Sequence, residues 1–265
     1  MTTAPPGGGL SIQTLASRER AVLLIAIGAT AALAWSALLL GGSLHDAGHG
    51  AVTAPHARTI DLGVWVNATL MWFVMMVAMM LPPVLPWLML VGTLGRSKGS
   101  RMDSRVAVGG FAAGYFSVWL AYSVAGASLQ VWLQGKMLLG HDLRVGALAG
   151  GVVLLAAGVY QITPFKTACL RHCRNPMSFL LAKWRDGPSG ALNMGLRHGA
   201  FCVACCWALM AISFTLGLMN LLWMAALTVL LCIEKIAPGG FFLSRLFGAV
   251  FGLWGLWLVV ASTTG

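Results

Sequence analysis

Apolar residues in this chain run in long unbroken stretches, separated by short polar or basic segments, instead of alternating with charges at a helical or strand period. The stretches fall at about 21–40, 62–92, 106–133, 145–165, 198–217, 220–234 and 241–262. Runs of roughly 18 or more match a bilayer core of about 30 Å. The pattern predicts an all-α fold, a polytopic transmembrane helix bundle of about seven spans. The first run is longer than a signal-peptide core and lacks a cleavage site, so it reads as a span. Residues 1–17 are rich in Pro, Gly and Ser and read as a disordered tail, leaving 18–265 as one transmembrane helical domain.

Composition sharpens this picture. Only 9% of the 265 residues are charged and 58% are hydrophobic, where a soluble domain carries about 25% charged residues. A soluble globular protein, a disordered chain and a disulfide-stapled secreted domain are all excluded. The net charge of +10 is an orientation signal and not a nucleic-acid footprint, because its basic residues are sorted by loop. One set of loops holds 14 of the 17: Arg18, Arg20, Arg96, Lys98, Arg101, Arg105, Lys166, Arg171, Arg174, Lys183, Arg185, Arg197, Lys235 and Arg245. The other set holds Arg58, Lys136 and Arg144. The N-terminus is therefore expected in the cytoplasm and Gly265 outside. Small-xxx-small pairs at Gly110 and Gly114, Gly146 and Gly150, and Gly248 and Gly252 suit a compact bundle or a homodimer equally.

The chemistry concentrates late in the chain. All six cysteines, Cys169, Cys173, Cys202, Cys205, Cys206 and Cys232, fall where the expected topology places the reducing, cytoplasmic face. Cys169 and Cys173 sit one helical turn apart, with His172 beside them and Pro164 ending or kinking the fourth span. His198, Cys202 and Cys206 recur at i, i+4 and i+8 with Cys205 adjacent, a stripe at the cytoplasmic end of the fifth span. Flanking Arg171, Arg174 and Arg197 favour the thiolate that binds metal. Five thiols in two tight clusters predict one metal site bridging two helices, while Cys232 reads as apolar filler.

The second span adds Met71, Met75 and Met79 at i, i+4 and i+8, with Met76 and Met80 alongside. Thioethers select Cu(I) but also fill gaps between helices. Pro82, Pro83 and Pro86 follow, and a straight helix through them would reach about 50 Å, so a break or a turn along the interface is expected there. Glu234 closes the sixth span as a ligand or charge partner, or as one half of an interfacial pair with Lys235. His45, Asp46, His49 and His56 in the first outer loop read as loop residues before metal capture. The chain shows no Walker A loop, dinucleotide fingerprint, His-Glu-x-x-His helix or Gly-x-Ser-x-Gly elbow, and an enzymatic role is not favoured.

At these residues the chain resembles a bacterial family of unknown function described as predicted metal-binding integral membrane proteins. The resemblance covers about residues 60–262. It rests on the Met75–Pro83 run, on Gln161 to Pro176 with Lys166, Cys169, Cys173, Arg174 and Pro176, on Cys202, Cys205, Cys206 and Trp207, and on Glu234 with Lys235. It implies metal binding in the bacterial inner membrane. From the residues themselves, the leading expectation is a lipid-embedded protein that binds a soft or borderline metal, Cu(I) before Zn(II), at cytoplasmic thiolates for transfer or transport. The metal set is Cys169, Cys173, Cys202, Cys205 and Cys206, with His172, His198, Met75, Met79, Met80 and Glu234 as secondary candidates. The alternatives are a transmembrane thiol-disulfide relay, and a homo-oligomeric or membrane-complex assembly partner.

Overall fold

The computed structural model describes residues 25, 28–29, 31–40, 62–97, 104–140, 143–175, 180, 187–218, 220–237 and 239–264. The tail at 1–17, the His45, Asp46, His49 and His56 loop, and Pro176, Lys98 and Lys183 lie outside the described residues. The elements are α1 (Ala31–Leu40), α2 (Leu62–Ser97), α3 (Ser104–Gly135), α4 (Ala147–Ile162), α5 (Pro164–Arg174), α6 (Pro188–Ala211), α7 (Ser213–Leu216), α8 (Leu221–Ile236) and α9 (Gly240–Thr264). Among the described residues there is no strand, only an isolated bridge between Leu139 and Val145. The fold is all-α.

Helices Leu62–Gly95, Ser104–Gly135, Pro188–Leu216 and Gly240–Thr264 are each long and apolar enough to cross a membrane. α4 and α5 together pass the same test as a fifth, bent by 66°. The protein is a membrane protein, and lipid-facing side chains such as Leu253 and Trp257 on α9 stay exposed. Two of the seven expected spans come out shorter among the described residues. α8 has 16 residues, about 24 Å of helix, and α1 is described over only 31–40.

The α4–α5 bend follows from local chemistry. Thr163 is extended at φ −68° and ψ 148°, its hydroxyl accepts the Lys166 N–H, and Pro164 takes the first helical position, where no N–H is needed. The expected break at the second span does not occur. α2 runs as one helix of 36 residues with Pro82, Pro83 and Pro86 inside it. Packing along its length holds the helical dihedrals, and the missing N–H groups leave the carbonyls of Ala78, Met79 and Pro82 without their i+4 donors. α6 also departs from expectation. It begins at Pro188, not His198, because the polar residues before Cys202 are built into the helix: His198 is buried and Arg197 exposed.

Two seams set the packing. α3 and α6 run parallel, with Gly195 so close that a Cβ there would lie 2.1 Å from the Phe111 carbonyl oxygen. α4 and α9 run antiparallel, and a Cβ on Gly158 would lie 2.5 Å from the Gly252 nitrogen. Gly110, Gly114 and Gly248 thus face helices of the same chain, which assigns these small residues to packing within the bundle.

Candidate metal centre

Five helices bring side chains to one sulfur-rich group. α6 carries Cys202, Cys205 and Cys206, all buried, since residues at i, i+3 and i+4 share a helix face. α5 carries buried Cys169 and Cys173 on its own inner face. The bend folds α5 against α6 so that Cys173 Sγ lies 3.7 Å from Cys205 Sγ. Within α6, the Cys205 and Cys206 thiols donate to the Cys202 carbonyl at 3.1 and 2.8 Å. Tyr115 of α3 shares a hydrogen bond of 3.0 Å with Cys202 Sγ. From α8, Lys235 Nζ donates to Cys202 Sγ at 2.9 Å. The same nitrogen lies 3.7 Å from Met80 Sδ of α2 and 4.0 Å from Cys206 Sγ.

Charge decides how this group is held. Lys235 is 8% exposed, and a buried ammonium is costly without partners. Among the described residues it forms no ion pair with a carboxylate. The neighbouring Glu234 is already taken, with Oε2 2.8 Å from Lys166 Nζ and Oε1 accepting from Gln161 Nε2 at 2.8 Å. The Lys166 and Glu234 side chains are 1% and 2% exposed, so the pair is a neutral buried tie between α5 and α8. Arg174 donates to the Glu234 carbonyl and, at 2.8 Å, to that of Ala237, while its guanidinium sits 5.2 Å over the Phe241 ring. A cation thus closes the C-terminal end of α8, where carbonyls lack partners and the helix dipole is negative. These contacts fix the position from which Lys235 reaches the sulfurs.

An aromatic layer flanks the group. Trp87 Nε1 donates to the Cys173 carbonyl at 3.1 Å, and His198 stacks on Trp87 with ring centroids 3.7 Å apart. Tyr115 stacks on the same imidazole at 5.4 Å. The layer joins α2, α3, α5 and α6 around the thiols.

A family model described as PpoB2, copper chaperone, matches residues 69–258. The chain belongs to the PpoB2 copper chaperone family. The matched segment contains every side chain of the sulfur group, and membership assigns the chain to copper handling. Searches of curated proteins and of solved structures gave no match.

For this PpoB2 family member the thiol pattern largely converges. Cys173, Cys202, Cys205 and Cys206 meet, whereas Cys169 lies a turn back on α5 and, among the described residues, makes no thiol hydrogen bond. Of the methionines, Met80 reaches the group, and Met75 and Met79 are buried in the core of α2. His172 is exposed, with its ring stacked on Phe201 at 4.3 Å and Nδ1 3.1 Å from the Ala168 carbonyl. His198 is held by aromatic rings, and Glu234 binds Lys166 in place of Lys235. The thiols sit half-way along a helix, not at its end, since Cys202 is the 15th of 29 residues in the Pro188–Leu216 span. Two participants, Lys235 and Tyr115, escape the sequence argument, although a lysine three residues after Cys232 within an apolar run is a visible signal.

Among the described residues, no three His, Cys, Asp or Glu side chains stand together in a metal-holding geometry. The donor chemistry nevertheless suits copper, because thiolate and thioether are soft ligands. The Lys235 ammonium lies 2.9 Å from Cys202 Sγ, 3.7 Å from Met80 Sδ and 4.0 Å from Cys206 Sγ.

Proposed function

We propose that this chain binds Cu(I) as cargo at the sulfur group of Cys173, Cys202, Cys205 and Cys206 with Met80, and transfers it to another protein. The observation that carries the reading is the meeting of thiols from α5 and α6 with a thioether from α2 around one buried cation. Hard-ligand metals find no free carboxylate there among the described residues, because Glu234 is bound to Lys166 and Gln161. Cu(I) ranks ahead of Zn(II) because the thioether adds a ligand that zinc sites do not use. Transfer is favoured over transport, since Met75 and Met79 are packed in the core and, among the described residues, no second group of donors is found.

In this proposal the chain sits in the bacterial inner membrane with its N-terminus in the cytoplasm, supported by the basic loops, and copper enters from that side. Impermeant labelling of cysteines introduced near Lys98 and Lys183 tests the orientation, and labelling from the periplasm of intact cells overturns it. Metal content of the reduced, purified chain tests the site. Copper is expected to fall in a Cys202→Ser, Cys205→Ser double variant, and unchanged copper rejects the site.

A second reading draws on the 3.7 Å separation of Cys173 and Cys205, close enough for disulfide exchange. A relay would leave periplasmic thiols oxidised in Cys-to-Ser variants without altering copper content. The copper reading predicts the reverse.

A further inference from the structure

The Lys235 ammonium lies against the same sulfurs a copper ion would use. Three sulfurs surround it, Cys202 Sγ at 2.9 Å, Met80 Sδ at 3.7 Å and Cys206 Sγ at 4.0 Å. An ion bound to these sulfurs would compete with the ammonium for the same lone pairs. Two cations drawn to one buried set of sulfurs also repel each other. The ammonium is also the charge available to match a thiolate here, since the adjacent carboxylate of Glu234 is committed to Lys166 and Gln161.

We propose that Lys235 is a captive cation that holds the sulfur site between cargoes, is displaced when Cu(I) loads, and returns as Cu(I) leaves. The inference rests on the sulfur group being the copper site. The exchange balances in charge: one positive charge leaves the sulfurs of Cys202 and Cys206 as another arrives, with no electron moved. A divalent ion would leave an extra charge in a buried place, so the exchange discriminates for a monovalent ion. Displacement needs only a side-chain movement. Lys235 lies next to the last residue of α8, and its four-carbon stem can swing the ammonium away from the sulfurs toward the interface, past the carbonyls that Arg174 already caps. The neutral Lys166–Glu234 pair and the Arg174 cap keep the backbone of α8 in place meanwhile. The consequence is a site whose affinity is held down by an internal competitor, which suits a protein that must give its ion away.

The test uses the full chain in detergent under reducing conditions, treated with an amine-reactive reagent with and without Cu(I) and read by peptide mass spectrometry. Lys235 is expected to react severalfold more when Cu(I) is bound, while Lys166 stays unreactive. Unchanged Lys235 reactivity on loading overturns the inference. A Lys235→Leu variant, which removes the ammonium without adding a donor atom, is expected to bind Cu(I) tighter by about tenfold to a hundredfold, the range of one charge-assisted hydrogen bond, and to release it correspondingly more slowly to a chromophoric chelator. Weaker binding by that variant overturns the inference, since it would make the ammonium a resident partner of the ion. Copper binding that survives loss of Cys202 and Cys206 rejects the sulfur site, and the inference falls with it. Binding that needs those cysteines but leaves Lys235 covered rejects the inference alone.

Discussion

The α4–α9 seam and the sulfur centre solve opposite packing problems within one bundle. At the seam, Gly151, Gly158, Gly248 and Gly255 let two backbones approach until no Cβ fits between them. No titratable group is needed there, because close van der Waals contact is what joins helices in lipid. At the centre, α2, α5 and α8 reach the close-packed α3–α6 pair through large and ionisable side chains, and hydrogen bonds and charge take over. The α3–α6 seam supplies a rigid wall, and the chemistry is brought to it by side chains from the other helices.

The largest effect should come from breaking the charge tie at the centre. Glu234→Leu strands Lys166 in the interior, and losing one member of a buried pair costs about 3–5 kcal/mol. Thermal unfolding in detergent should show the loss, and Lys166→Met in the same chain should recover much of it. Full stability in the single variant would mean that water reaches the pair. At the seam, Gly158→Leu should cost about 1–3 kcal/mol or more by overpacking against Gly252, with copper binding lost only as the fold is lost. A stable Gly158→Leu chain would show that α9 can move away without disturbing the centre.

Smaller effects on stability separate function from packing. The Cys202→Ser, Cys205→Ser chain should unfold within about 1–2 kcal/mol of wild type yet lose copper measured by mass spectrometry. Smallest of all, Met80→Leu conserves volume and should cost below about 1.5 kcal/mol while weakening Cu(I) binding in a chelator competition. Met75→Leu and Met79→Leu should leave that affinity alone. Equal copper effects at all three positions would extend the donor group along α2.

Legibility followed locality. Helical spacing is a property of neighbouring residues, so the faces shared by Cys169 with Cys173 and by Cys202 with Cys206 were readable from the chain, as was the turn at Pro164. The partners were not. Lys235 follows Glu234 and invites an interfacial pair, yet successive residues on a helix point about 100° apart, so one meets Lys166 and the other Cys202. The prolines of α2 misled in the other direction, because packing along 36 residues overrides a local preference for a break. The extent of α6 was also hidden, since Asn193 and Arg197 interrupt the apolar run ahead of His198 although both lie on the helix.

The ion pair between Lys166 and Glu234 also orders events in time. A ribosome makes Lys166 68 residues before Glu234 and Cys202 33 residues before Lys235. During synthesis the early thiols and Lys166 therefore enter the membrane with neither of their α8 partners yet made. Only when α8 arrives does one helix deliver both the carboxylate that neutralises α5 and the ammonium that meets the thiols. A chain that stops before α8 keeps every sulfur of the group but lacks the carboxylate and the ammonium that α8 brings, so the charges of the centre find their partners only once α8 has been made.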